Sequence, residues 1–324
     1  MSERLPTRTC MTIEMRMEAK AQVEAARRAV LAVRAEGLAT LVVTGKDRVS
    51  WLNGLVTCDL VKRPEGEARY GLVVARNGRV LADVTVVVED TRVLVVVPGA
   101  VISALRAHFD HYLVMEDAEI ALRTDAFEPW TVHGPRSTDV LAAARPHGGV
   151  GGGVDRTGLG GAVVLAPTER AGEVRAAIER AVVGAGGLVG DESGWEALRL
   201  ERGVPVFAAD FDDKTYPQEA SLEKVAVSFD KGCYLGQEVV CMLEMRGHVK
   251  RKLASIVLDS VAVPSRGAIV TDEVGAELGA VTSAVLSPTL GRVVALAMVK
   301  RSVAEPGSRM LVEGSHAEVV GRPA

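Results

Sequence analysis

Residues 70–88 read YGLVVARNGRVLADVTVVV, with two runs rich in β-branched residues on either side of Asn77-Gly78. Asn-Gly between two such runs is the strongest short signal for a β-hairpin, because both residues tolerate the positive φ of a tight turn. Further strand-like and helix-like runs surround this hairpin, at residues 18–36, 38–44, 92–97, 98–113 and 116–123. This mixture of helices with antiparallel hairpins predicts an α+β fold rather than a doubly wound parallel sheet.

The end of the chain has a different pattern. Past residue 252, short β-rich pieces such as LASIVL and VVALAMV are separated by Pro, Gly and Asp. This pattern predicts a small all-β domain. The glycine-dense stretch 148–161, GGVGGGVDRTGLGG, lacks the Gly-Lys-Ser/Thr of a phosphate-binding loop, so we expect a flexible surface loop there.

Composition excludes several classes of protein. The 324 residues suffice for about two domains, and the net charge of -4 provides no general attraction to nucleic acid or anionic lipid. The apolar runs are far shorter than the roughly 20 residues that span a bilayer, and the charged N-terminus has no apolar signal core. We therefore expect a cytoplasmic protein with neither membrane insertion nor direct nucleic-acid binding.

The cysteines offer one candidate for chemistry. Cys233 lies in the stretch 231–238, KGCYLGQE, just before a predicted helix and two residues after Lys231. A helix N-terminus and a nearby ammonium group both stabilise a thiolate, so they should lower the pKa of this thiol below about 8.5. None of the four cysteines forms a C-x-x-C pair, and their spacing is unsuited to a stable metal cluster held by this chain alone.

The neighbours of Cys233 admit two interpretations. Gly232 and Gly236 would let the backbone turn tightly and approach a ligand. Alternatively, the thiol is buried and Tyr234 fills a core. The basic run 246–252 is either a solvated face or a binding surface for an anionic ligand tail or a partner, with Arg246, Lys250 and Arg251 as the candidate residues.

The string KGCYLGQE resembles the signature K-G-C-Y-x-G-Q-E of the YgfZ-type folate-binding proteins of iron–sulfur cluster assembly. Other segments that resemble this family are Pro217-Gln218 with Leu222, RGHVKR at 246–251, SWLNGLVTCDL at 50–60 and ARNGRVLAD at 75–83. These proteins are similar to the aminomethyltransferase, or T protein, of the glycine cleavage system.

The resemblance implies two α+β lobes that form a ring with a central folate cavity, closed by a C-terminal β-barrel. The implied boundaries are a tail at 1–17, a first lobe at 18–50 and 125–250 that carries the KGCYLGQE motif, a second lobe at 51–124 and a barrel at 251–324.

The function that the resemblance implies is a tetrahydrofolate-binding protein that supports assembly or repair of iron–sulfur clusters. Its partners would be iron–sulfur client or scaffold proteins, including radical enzymes that modify tRNA. Cys233 would be the essential thiol, acting either as a transient cluster ligand or in redox chemistry. The residues that would shape its loop are Lys231, Gly232, Tyr234, Gly236, Gln237 and Glu238.

Two carboxylates are candidates for folate contacts. LRLERG at 198–203 resembles the L-R-L-E-x-G segment of the T proteins, which makes Glu201 a candidate to accept two hydrogen bonds from a pterin; the alternative is a solvated helix carboxylate. Where the T proteins have Asp-Asp, this chain has Ala82 and Asp83. Asp83 either handles a proton near the folate or pairs at a strand end.

The missing carboxylate disfavours an aminomethyltransferase, because proton transfer needs a carboxylate within hydrogen-bond reach. Two rival functions remain. One is a tetrahydrofolate-dependent aminomethyl or demethylating transferase. The other is a folate-independent module that docks clients through its basic surface.

Overall fold

The structure is a computed structural model that describes residues 13–62, 66–245, 247 and 249–321. The helices are α1 (Ile13–Arg28), α2 (Arg48–Asn53), α3 (Ile102–His111), α4 (Ser137–Ala144), α5 (Ala171–Gly184), α6 (Glu192–Glu201), α7 (Glu223–Ala226) and α8 (Gln237–Met245). The strands are β1 (Leu31–Arg34), β2 (Leu38–Thr44), β3 (Arg69–Val74), β4 (Val80–Val88), β5 (Val93–Pro98), β6 (Glu119–Leu122), β7 (Phe127–His133), β8 (Val150–Gly153), β9 (Gly161–Pro167), β10 (Leu188–Gly190), β11 (Arg251–Leu258), β12 (Ile269–Thr271), β13 (Glu277–Leu286), β14 (Val293–Lys300), β15 (Arg309–Val312) and β16 (Ser315–Val320).

The first sheet has the strand order β10-β1-β7-β9-β8. β1 pairs with β10 in parallel and with β7 in antiparallel fashion. One face is covered by α4 and α5, whose buried residues Val140 and Ile178 pack with Trp130 and Val164 of the strands. The helix-like pattern at 18–36 is thus interrupted, because α1 ends at Arg28 and the next residues pair as a strand.

The second sheet has the order β3-β4-β5-β2-β6, and the predicted Asn77-Gly78 hairpin joins β3 to β4. β2 pairs with β5 from Leu38 to Val43 and with β6 from Leu41 to Thr44. Its hydrogen bonds therefore place residues 38–44 in the second sheet, and the division between the sheets falls before Leu38 instead of at residue 50.

Strands β11 to β16 form a closed barrel in the order β11-β14-β13-β12-β15-β16. Its interior is aliphatic, with Ile256, Val293 and Ala297 fully shielded from solvent. Together with the two sheet-containing lobes, this barrel confirms the predicted α+β architecture. The glycine-dense stretch differs from expectation, because β8 and the start of β9 turn part of it into paired strands.

The two sheets pack against each other through apolar side chains that include Val42, Val96 and Leu165. A separate cluster joins the second sheet to the segment between α6 and α8, where Phe207, Leu222 and Tyr234 pack on the strands. The KGCYLGQE motif, expected in the first lobe, therefore rests on the second sheet. Among the described residues, no helix is long and apolar enough to cross a membrane.

Candidate functional site

The strand β4 places two adjacent side chains on opposite faces of the second sheet, as the alternation of a strand requires. Ala82 is fully buried in the core beneath α2 and α3. Asp83 points the other way, is 6% exposed and lines a small chamber between the two sheets. A carboxylate at position 82 would thus lie in apolar packing, so its absence removes nothing from the chamber.

Asp83 has two polar neighbours in this chamber. The Tyr70 hydroxyl donates a hydrogen bond to Asp83 Oδ2 at 3.1 Å. Arg156 Nη2 lies 3.6 Å from the same oxygen, and it donates to the Tyr70 hydroxyl at 3.2 Å and to the Pro205 carbonyl at 2.7 Å. The guanidinium carbon stands 4.2 Å from the centre of the Tyr70 ring, a cation–π distance. These contacts fix the guanidinium beside the carboxylate.

Burial dominates the electrostatics of Asp83. Loss of solvent raises the pKa of its carboxyl above the ordinary value, and the opposing effects of Arg156 and Tyr70 do not cancel this rise. A carboxyl with a raised pKa can hold and release a proton closer to neutral pH than an exposed one, which suits general acid or base chemistry.

His133, at the end of β7, contributes a neutral ring to the same chamber. Its ring stacks on Trp195 of α6, with centroids 4.4 Å apart and planes inclined by 9°. Burial, assisted by the positive charge of Arg156, lowers the pKa of His133 to about 3. Its Nε2 atom is buried and has no hydrogen-bond partner among the described residues. The chamber therefore holds a polar group that a ligand could satisfy.

The size of the chamber limits what it can hold. Its volume is about 70 Å³, below the range of about 300–1,000 Å³ typical of small-molecule pockets. Tyr70 and Val154 also line a second cavity of about 620 Å³. A folate would thus fit only with its bulk in the larger cavity and one end at Asp83, or after the sheets move apart.

Glu201 faces elsewhere, which corrects its proposed contact with a pterin. Its side chain is 1% exposed and forms an ion pair with Arg27 at 2.8 Å. Its other carboxylate oxygen accepts hydrogen bonds from the hydroxyl groups of Ser287 at 2.5 Å and Thr289 at 2.8 Å. Both carboxylate oxygens are therefore used to join α6 to α1 and to the barrel, and Glu201 is neither solvated nor beside Asp83.

Lys231 also differs from its predicted role as a neighbour that activates Cys233. It is 7% exposed, and its ammonium group donates to the carbonyl oxygens of Asn53, Val56 and Cys58 at 2.6, 2.8 and 2.7 Å. Burial lowers the pKa of Lys231 to about 8 and raises that of the Cys58 thiol to about 12. Lys231 thus fastens the motif to the loop after α2, while Cys233 is exposed at the surface.

The other motif residues support the same conclusion. Tyr234 is 6% exposed in the core cluster, as the structural alternative supposed, and burial raises the pKa of its hydroxyl. Gly236 has φ +78°, and a Cβ there would meet the Ala75 carbonyl oxygen at 2.4 Å. A Cβ on Gly232 would meet open space. Gly236 is therefore required by close packing, not by a ligand.

The remaining predicted residues lie at the surface or outside the described part of the chain. Gln237 begins α8 and is partly exposed, and Glu238 is exposed. Lys250 is exposed, whereas Arg251 pairs with Glu219 at 3.0 Å. Arg246 lies outside the described residues. Of the candidate basic residues that the structure describes, Lys250 is the one without an ion pair.

Sequence reasoning missed four residues around Asp83: Tyr70, His133, Arg156 and Trp195. They come from different strands, a loop and a helix, so no local spacing joins them. The available signals were weak. His133 ends an apolar strand pattern directly before Gly134, and Arg156 is the basic residue within the glycine-dense stretch.

Comparisons with known proteins agree with this architecture. The family model described as the GCVT N-terminal domain matches residues 9–148, and the glycine cleavage T-protein C-terminal barrel domain matches residues 251–324. The aminomethyltransferase of Saccharopolyspora erythraea is 30% identical over 76% of this chain and 72% of that protein. That of Chlorobium luteolum is 28% identical over 84% and 79%.

The chain therefore belongs to the glycine cleavage T-protein (GCVT) family. A crystal structure of the glycine cleavage system aminomethyltransferase T from Bartonella henselae has the same fold. It is 18% identical, covers 94% of this chain and 89% of that one, and gives a TM-score of 0.80.

Proposed function

We propose that this protein binds tetrahydrofolate between its two sheets and acts in folate-dependent transfer of a one-carbon group such as an aminomethyl group. The observation that carries the proposal is the buried Asp83 carboxyl with its raised pKa, beside Arg156 and Tyr70. The names of the curated relatives support the same class of reaction.

Each chamber residue has a defined part in this proposal. Asp83 holds or accepts a proton at a nitrogen of the bound folate. Arg156 orients the carboxylate and limits the rise of its pKa, and Tyr70 donates to it. Apolar walls that include Leu38 and Val163 exclude water from the proton-transfer site. The partnerless His133 Nε2 supplies a hydrogen-bonding position for the ligand.

Turnover of an aminomethyl donor in the presence and absence of tetrahydrofolate tests this function. We expect folate-dependent turnover by the wild type and a loss of about 100-fold or more in Asp83→Asn, the usual minimum for removal of a general acid or base. Asp125→Asn, which changes an exposed aspartate, is the matched control. Undiminished turnover by Asp83→Asn would refute the role of this carboxyl.

A second candidate function, support of iron–sulfur cluster assembly or repair, is favoured by Cys233. Buried Lys231 and Tyr234 on either side pin the loop, so the exposed thiol is held outward where a partner can reach it. In cells that lack the protein, Cys233→Ser should fail to restore the activity of iron–sulfur client enzymes. Cys241→Ser, on half-buried Cys241 of α8, should restore it. Equal restoration by both variants would leave Cys233 without this function.

A further inference from the structure

The cavity of about 620 Å³ lies between the start of α4, the start of β3 and the turn that joins β8 to β9. Its volume is within the range of small-molecule pockets. It meets the Asp83 chamber only at Tyr70 and Val154, and its other walls are its own. Several of its polar groups have no role in the proposed reaction.

Ser137 is the first of these groups. It lines the cavity and is 2% exposed, and its hydroxyl has no hydrogen-bond partner among the residues that the structure describes. Buried hydroxyl groups in folded proteins nearly always have a partner. A ligand oxygen in the cavity would provide one.

The helix dipole adds to the effect of this hydroxyl. Ser137 is the first residue of α4, and Arg136 before it makes no side-chain capping hydrogen bond. Thr138, the next residue, also lines the cavity. An uncapped helix start presents N–H donors and partial positive charge, which together favour an anion.

Two arginines supply full positive charge. Arg145 is exposed and has no ion pair within the described part of the chain, and its Nη2 lies 3.5 Å from the position of a Cβ on Gly66. Arg69 is paired with Glu67 at 3.2 Å, but its Nε is buried and has no partner there. The Asp155 carboxylate is occupied by N–H groups of its own turn.

We propose that this cavity binds a small molecule through an oxyanion, a carboxylate or a phosphate group, recognised by Ser137, Arg145 and the start of α4. Both groups present the oxygen acceptors that guanidinium and hydroxyl donors bind well. The inference stands apart from the proposed function, since it uses none of the residues assigned to proton transfer. The carboxylate end of a folate is one source of such a group, and a phosphorylated metabolite is another.

Calorimetric titration of the full chain with inorganic phosphate and, separately, with glutamate tests the site. Ionic strength is held constant so that general screening does not change. We expect one saturable site for at least one of these anions. Arg145→Gln should weaken binding about tenfold, the usual loss of a charge-assisted hydrogen bond. Ser137→Ala should weaken it by a smaller factor.

Arg180→Gln is the matched control, because it removes the same charge from an exposed position on α5. It and Asp83→Asn should bind the anion like the wild type. Saturation by phosphate alone identifies a phosphate site, and saturation by glutamate alone a carboxylate site. Absence of saturation by both anions would overturn the proposal, as would equal weakening in Arg180→Gln or wild-type binding by Arg145→Gln and Ser137→Ala.

Two further outcomes separate this inference from the proposed function. If the anion binds but tetrahydrofolate does not, the cavity proposal stands and the folate proposal fails. If Asp83→Asn abolishes anion binding, the anion occupies the Asp83 chamber and the cavity proposal is wrong.

Discussion

At Asp83, burial and ion pairing act in opposite directions, and burial prevails. Since the pKa is raised above its ordinary 3.8, the folded chain binds this proton more tightly than the unfolded chain. The resulting stabilisation is complete below pH 3.8 and is lost as the pH rises through the folded pKa. At neutral pH, the folded protein therefore bears the cost of a buried carboxylate.

Asp83→Asn should accordingly raise the stability at pH 7 by about 1 kcal/mol, a typical single-residue effect and about 2 °C in Tm. The gain should shrink towards pH 4, where the wild-type carboxyl is protonated. Thermal unfolding across this pH range measures it, with Asp125→Asn as the exposed control. A pH-independent difference, or a loss at pH 7, would mean that the ion pair with Arg156 outweighs burial.

Lys231 is assigned a structural role by its three carbonyl partners. Lys231→Met would leave these buried carbonyl groups unpaired, and we expect a loss of at least about 2 kcal/mol. Thermal unfolding measures the loss, and Lys224→Met removes an exposed ammonium from the neighbouring α7 as a control. A Lys231→Met protein with wild-type stability but no function would instead place Lys231 in the chemistry.

The loop from Lys231 to Gln237 depends on its two glycines to different degrees. Gly236→Ala should cost about 2 kcal/mol or more, because its φ is positive and its new Cβ would meet the Ala75 carbonyl oxygen. Gly232→Ala, in open space four residues earlier, is the matched control and should change the stability little. Tm values that fall equally in both variants would contradict this account of the loop.

Local patterns predicted elements well where a turn or a change of period marked them. The Asn77-Gly78 hairpin, α8 and the β-rich barrel all followed from such signals. β1 was missed, because LAVR continues a helix-favouring run and becomes a strand through its pairing with β7 and β10. The placement of residues 38–44 in the first lobe failed for the same reason, since sheet membership is decided by distant partners.

The candidate site was predicted only in part. Asp83 was identified, but Tyr70, His133 and Arg156 join it only when two sheets pack face to face, and no spacing in the sequence encodes that contact. Glu201 and Lys231 were assigned chemical roles that their buried ion pair and hydrogen bonds replace. A charged residue near a motif therefore required its partners to be known before its role could be assigned.

The folate chamber between the two sheets is the central claim for the assembled fold. Calorimetric titration of tetrahydrofolate into the wild type, Asp83→Asn and Cys233→Ser tests it most directly. We predict one site per chain, weakened about tenfold or more in Asp83→Asn, as loss of a charge-assisted hydrogen bond would produce. Cys233→Ser should bind like the wild type, because its thiol is exposed on the motif loop. Absence of binding, or unchanged binding by Asp83→Asn, would contradict the account.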